Sequence, residues 1–421
     1  MRRVVGMTIV GALGVAGCSG DDAADPTTVA ATSATTTEAP TAVTTPVTSP
    51  VTSPAITGAV LTTAPAPTTE PPPTTGAPAY DVSAVEPIID AFVAEHGLNG
   101  AGLVVVERDG GIVGEYYNGE FSADRVSFVA SSSKMVTAGV LMHLADQYLL
   151  APDQPIVEYV PWAVGHHTDV TVAQLLSNSS GLVGLLPQPE YAPYVCQFLP
   201  TSELEACGAT AWSTPDDDAD VVPPDTEYRY GGVQWQIAGA VAETVSGKPW
   251  AQLVDEIYVQ PCGVESLGYN NHWLALGGSG FTYPADFDGD LTLLAPTENP
   301  HMEGGLYITP TDYAELLLMH LRDGRCGDTQ VLSTGALAAM HTDRIGQEYA
   351  GTTQTGSGYG LGWWVYPDRI DDPGAYGSYP WLDLADGYGA YLVVEADATL
   401  GAQLAAQLFE PVDAAIAATR G

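Results

Sequence analysis

The chain has 421 residues and sets 12 Lys plus Arg against 51 Asp plus Glu, a formal net charge of −39. Nucleic acid demands a basic face to neutralise phosphates, so that partner class is excluded, as is an anchor on anionic lipid through basic patches. With 45% hydrophobic and 9% aromatic residues, the chain can fill a large core, which excludes global disorder.

In chain order, the first block reads as an export signal, residues 1–17. Arg2 and Arg3 precede a short apolar run, Val4 to Gly17, that ends in small residues. It is too short to span a bilayer comfortably. Val15-Ala16-Gly17-Cys18 resembles a bacterial lipobox, which implies a lipid on Cys18. An ordinary signal peptide with an incidental Cys is the alternative. Residues 18–79 read as a linker: Ser19 to Ala79 holds 18 Thr and 11 Pro and no Phe, Trp or Tyr, so no core can form there. Its role is reach, holding a folded body away from a membrane. The expected location is therefore the outer face of a bacterial membrane, periplasmic or at the cell surface, with membrane contact only through Cys18.

Four cysteines remain. Cys196 and Cys207 flank a short loop and are the favoured pair, which leaves Cys262 with Cys326 by elimination. Free buried thiols are the alternative. None of the four has metal-ligand spacing.

Residues 80–421 read as one large domain. Asp81 to His96 has helical spacing. Ala101 to Glu107 and Ile112 to Tyr117 flank the turn Asp109-Gly110-Gly111 as a hairpin. Ser131 to Tyr148 reads as a helix with Met135, Ala138, Leu141, Leu144, Ala145 and Tyr148 on its apolar face. Helices are also expected over Gln234 to Ser246, Thr311 to Arg322 and Gly401 to Thr419, and a strand over Gly389 to Glu395. The fold class is α/β of the α+β type: an antiparallel sheet built from both ends of the chain, flanked by helices, with an inserted helical lobe.

The chemistry centres on Ser131-Ser132-Ser133-Lys134. Three residues is almost one helical turn, so Ser131 and Lys134 share a face. Ser131 at a helix N-terminus would sit where backbone amides favour negative charge. The same positive end, with burial, is expected to lower the pKa of Lys134 toward that of a useful base. An N-cap serine with a solvated lysine is the bland alternative.

The surroundings decide between them. Val129 to Pro161, the segment Val170 to Leu182, Pro224 to Gly232, Gly304-Gly305-Leu306-Tyr307 and Tyr359-Gly360-Leu361-Gly362-Trp363 together resemble the serine β-lactamase and penicillin-binding-protein superfamily. The likeness is strongest to the branch of class C β-lactamases and related family VIII-type esterases, and runs from about Val85 to the C-terminus. It implies a β-lactamase/transpeptidase-like fold and a serine hydrolase working through an acyl-enzyme, with Ser131 as nucleophile. Tyr230 falls in the family's Tyr-x-Asn motif, where a phenol beside Lys134 would have a depressed pKa and relay the proton. Gly232 stands where the family has Asn, so one substrate contact is expected to be missing. The third motif, normally Lys-Thr-Gly or His-x-Gly, aligns with Asp372-Pro373-Gly374. That register makes Asp372 and Gly374 substrate-facing, and gives the oxyanion hole to the amides of Ser131 and Ala375. A surface turn is the alternative for this stretch.

Other features are weaker. Asp286 to Asp290 is similar to a calcium loop, but its glycine is misplaced and Thr297 stands where a Glu should close the site, so a solvated turn is favoured. His166-His167 and Asp216-Asp217-Asp218 read as solvated surface. No Gly-x-Ser-x-Gly, phosphate loop or dinucleotide fingerprint occurs. The expected substrate is a small-molecule ester or amide, with neither metal nor organic cofactor. A carboxylesterase is favoured over a β-lactamase or D-alanyl-D-alanine carboxypeptidase, and over a catalytically silent binding protein of the same fold. Oligomeric state is left open.

Overall fold

The computed structural model describes residues 80–184, 192–273, 282–284, 286–345 and 357–420. Cys18 and the linker lie outside them. All of the described residues fall in one compact unit, Pro71–Gly421.

Helix α1 (Glu86–His96) leads into strands β1 (Gly100–Glu107) and β2 (Gly111–Gly119), the expected hairpin. At the other end of the chain, β11 (Tyr379–Asp383) and β12 (Tyr388–Val393) precede α10 (Ala398–Arg420). β12 pairs antiparallel with β1, Val104 opposite Tyr391, so N- and C-terminal segments form one sheet. With β8 (Gly358–Tyr359), β9 (Trp364–Val365) and β10 (Ile370–Asp371), the seven-stranded order is β2-β1-β12-β11-β10-β9-β8. The expected architecture is present.

Every residue of β1 is buried, because helices cover both faces of the sheet. Strand alternation divides them. Leu103 and Val105 pack with Ile89 and Phe92 of α1 and Leu404 and Leu408 of α10. Val104 and Val106 face the other way, into a core shared with α2 (Lys134–Asp146) and α8 (Pro310–Leu321). Between these elements lies the helical lobe: α3 (Val172–Leu176), α4 (Leu204–Trp212), α5 (Gly232–Ser246), α6 (Trp250–Val254) and α7 (Gln260–Cys262). Trp212, Trp235 and Trp250 join the same core, so the lobe packs on the sheet domain rather than standing apart.

Two disulfides fasten the lobe, Cys196–Cys207 and Cys262–Cys326. The second reaches from the end of α7 to β6 (Arg325–Cys326), which pairs with β7 (Thr329–Gln330) ahead of α9 (Thr334–His341). A three-stranded sheet, order β3-β5-β4, leads into the Ser131 turn: β3 (Ser127–Phe128), β4 (Gly268–Tyr269) and β5 (Leu306–Ile308). No helix among the described residues is long and apolar enough to cross a membrane.

Three expectations need correcting. The helix expected from Ser131 splits into a 3₁₀ turn, Ala130–Ser133, and α2 proper. Tyr148 lies past its end, 95% exposed, with a φ of 59° rather than on the apolar face. His167 is buried: it packs edge-on against Trp212, and its Nδ1 lies 3.0 Å from Asp216 Oδ1.

Candidate active site

Strand β3 delivers the chain to the 3₁₀ turn. Phe128 pairs with Tyr307, and Val129 N–H donates to Leu306 O. Ala130 then adopts φ 46°, a left-handed conformation that costs a non-glycine residue roughly 1–2 kcal/mol. The turn is clamped from every side. Ser132 Oγ donates to Asp372 O at 2.6 Å and lies 2.7 Å from Ser378 Oγ. Ser133 Oγ donates to Ala130 O and accepts from Leu306 N–H. Tyr313 and Tyr269 hydroxyls donate to Ser132 O and Ser133 O. Of the three serines, Ser132 and Ser133 are buried and Ser131 is partly exposed. Only one of them is presented to solvent.

Lys134 begins α2 with its side chain fully buried. Its Nζ lies 3.2 Å from Glu303 Oε2, donates to Glu303 O at 3.3 Å, and sits 4.4 Å over the centre of the Tyr230 ring. This arrangement reverses an expectation. Burial alone pushes the ammonium pKa down, but Glu303, then Tyr230 and Asp372, outweigh it and hold it above the ordinary lysine value. The resting Lys134 is a cation. Tyr230 is likewise corrected: burial raises its phenol pKa, and the Lys134 charge only partly offsets the rise. The phenol is neutral at rest.

Tyr230 is positioned by residues whose role the sequence did not disclose. Arg229 N–H donates to Asn178 O, Asp225 N–H to Ser179 O, and Gln234 Nε2 to both Asn178 Oδ1 and Arg229 O. Trp235 Nε1 donates to the same Asn178 Oδ1. The Ser177–Gly181 segment thus pins the loop that ends in Tyr230, and Trp364 stacks on its ring.

Asp372 does not face a substrate. Its side chain is buried, and Oδ2 accepts from Met135 N–H in the first turn of α2. Burial holds its pKa well above the usual carboxylate range, with the Lys134 charge as the main opposing cause. The acid therefore supports the helix start from behind. Gly374 has a packing role: a Cβ there would lie 2.0 Å from Val129 O and 2.3 Å from Ser378 Oγ. Only glycine lets the strand-side loop approach the Ser131 turn this closely, and Ala375 follows it, half-buried.

Gly232 opens α5 in the position expected to lack a substrate contact. A Cβ there would meet Gln197 Oε1 at 2.3 Å and Glu303 Oε1 at 2.6 Å. Glu303 and Gln197 fill that space, and neither was singled out by sequence. The sole signal was that Glu303 immediately precedes Gly304-Gly305. His272 and His301 also lie nearby, held neutral by burial with pKa values of about 3. Among the described residues, no cluster of three His, Cys, Asp or Glu fits a metal.

Comparison with known proteins agrees with this geometry. A family model described as Beta-lactamase matches residues 85–420. The chain is 26% identical over 360 residues to penicillin-binding protein 4 of Amycolatopsis lactamdurans, covering 79% of this chain and 89% of that protein. In fold it is similar to a putative β-lactamase from Bacteroides dorei, TM-score 0.61 at 24% identity, over 78% of this chain and 98% of that one. It is also similar to EstCE1, a hydrolase with promiscuous acyltransferase activity, TM-score 0.63 at 18% identity, over 79% and 97%.

Proposed function

This chain belongs to the Beta-lactamase family of β-lactamase-fold serine hydrolases, and on that premise we propose that it is a carboxylesterase acting through an acyl-enzyme on Ser131. One observation carries the reading. Ser131 is the serine of its run left partly exposed, while Lys134 and Tyr230 pack together one helical turn on. Ser131 Oγ attacks an ester carbonyl, and the amides of Ser131 and Ala375 hold the oxyanion. Lys134 and Tyr230 move the proton to the departing alkoxide, and water then releases the acid.

The preference for neutral esters rests on what the strand side offers. Asp372-Pro373-Gly374 supplies neither a cation nor a hydroxyl for a substrate carboxylate. Lys134 already faces Glu303. Since Asp372 accepts from Met135 N–H, direct like-charge repulsion drops out and only the missing attraction remains. A hydrogen bond to a charged group contributes about 1.5–3 kcal/mol, so carboxylate-bearing substrates are weakened by about one to two powers of ten.

The test is fluorophosphonate labelling of wild type and Ser131→Ala, followed by kcat/KM for a p-nitrophenyl ester, a cephalosporin and a D-Ala-D-Ala peptide. Labelling is lost in the variant, and the ester is preferred. Persistent labelling refutes the nucleophile; preference for either carboxylate-bearing substrate refutes the esterase reading. The proposal extends to location: export and lipid anchoring through Cys18, with the Thr/Pro segment as spacer. Cys18→Ala then releases the protein from the membrane fraction of a producing cell, and unchanged fractionation overturns it.

A further inference from the structure

The site contains a carboxylate that the Ser131, Lys134 and Tyr230 mechanism does not use. Glu303 is almost wholly buried, and the ammonium is the polar side chain that faces its Oε2. Its placement is fixed on both sides. Met302 N–H donates to Gln236 Oε1 of α5, and Thr137 Oγ1 of α2 donates to Met302 O. Its other oxygen lies over Gly232, where any side chain would collide with it. The glycine and the carboxylate are one arrangement: the first makes room for the second.

A buried ion pair is costly unless it is compensated, and removing one partner leaves the other stranded. Here the lysine of the pair opens α2, directly after the 3₁₀ turn that holds Ser131. It also creates a chemical difficulty, since a lysine held as a cation cannot accept the Ser131 proton. The missing acceptor is beside it.

Building on the hydrolase reading above, we propose that Glu303 is the proton store of this site, a positioning residue that acts through Lys134. As Ser131 Oγ bonds to the carbonyl carbon, Lys134 passes one N–H proton to Glu303 Oε2 and takes the Oγ proton in its place. The carbonyl π electrons move onto the oxyanion. The Lys134–Glu303 pair then carries one proton more than at rest, which balances the new negative charge. On collapse the C–O bond to the leaving group breaks, and the alkoxide receives a proton from Lys134 through Tyr230. Glu303 returns its own proton to Lys134. Deacylation repeats the cycle with water in place of Ser131. No charge leaves the buried pair until the oxyanion exists to compensate it.

The titratable groups facing the pair are Tyr230 from the loop before α5, Asp372 from the loop after β10, and His301 from the turn that carries Glu303. His301 is neutral throughout the working range because burial holds its pKa at about 3. Asp372 is raised by burial and already accepts from Met135 N–H.

The experiment measures kcat and KM for a p-nitrophenyl ester from pH 5 to 10 in wild type, Glu303→Gln and Glu303→Asp. In Glu303→Gln the largest cause raising the Lys134 pKa is gone, so the lone buried amine must itself be deprotonated. The acid limb moves up by at least about one pH unit, and kcat at pH 7 falls by about 100-fold with KM little changed. Activity recovers as the pH rises. Glu303→Asp keeps a carboxylate, so its limb stays with wild type while kcat falls by about tenfold. An unchanged profile in Glu303→Gln, or higher activity at neutral pH, overturns the assignment. Should that variant fail to fold, Glu303→Asp decides alone: a displaced limb or an undiminished kcat overturns it. Fluorophosphonate labelling of wild type separates the two proposals, since failure to label strikes the hydrolase reading, whereas labelling with unshifted profiles strikes only Glu303.

Discussion

Gly374→Ala adds one methyl group where the strand-side loop meets the Ser131 turn. Its Cβ would stand 2.0 Å from Val129 O, 2.3 Å from Ser378 Oγ and 3.1 Å from Ser132 Oγ. The first two are bound to each other, since Ser378 Oγ donates to Val129 O, so neither moves without breaking that bond. Relief of the contact requires the loop and turn to separate by about 1 Å, toward ordinary van der Waals distance. Overpacking of this kind costs about 1–3 kcal/mol, which lowers Tm by a few degrees in a domain of this size. The larger effect falls on rate. Ser131 follows Val129 closely and Ala375 follows Gly374, so the separation spreads the two amides assigned to the oxyanion. A misplacement of about 1 Å costs about 100-fold in rate, and it falls on kcat because the oxyanion exists only beyond the ground state. The assay is steady-state hydrolysis of a p-nitrophenyl ester beside thermal melts. Gly335→Ala serves as control, since a Cβ there meets only Ser333 Oγ at 3.6 Å. A Gly374→Ala protein with kcat within twofold of wild type and an unchanged Tm would refute the close approach and the role of Ala375.

Ser132→Ala removes a buried hydroxyl that donates to Asp372 O; stability falls by about 1–2 kcal/mol while fluorophosphonate labelling persists, and loss of labelling in a folded variant contradicts this. Glu243 has its pKa raised to about 7, chiefly by burial, with Glu205 and Glu298 adding to the rise. A carboxyl whose folded pKa exceeds its unfolded value stabilises below the unfolded value of about 4.5, and that contribution is lost as pH rises toward 7. Glu243→Gln therefore melts above wild type by a few degrees at pH 8 and close to it at pH 4.5; an equal difference at both values refutes the ionisation argument.

Much of this protein is legible along the chain because the signals are local. The continuous apolar run from Ala101 to Val106 and the helical spacing after Met135 report their own burial, and Ser131 and Lys134 are only a turn apart. The family-like motifs then identified the superfamily and the loop carrying Tyr230. Ionisation was not legible, since a pKa depends on what is brought close from elsewhere. Lys134 was expected to be a depressed base from its helix start and burial, yet a residue 169 positions away sets its charge. Asp372 shows the same limit: its place in the chain follows from the motif, but its buried carboxylate accepts from Met135 N–H in the first turn of α2, where a helix leaves its amides without intrahelical partners. Composition and periodicity fix which segments are buried; the partners of a buried charge are decided only when distant segments close around it.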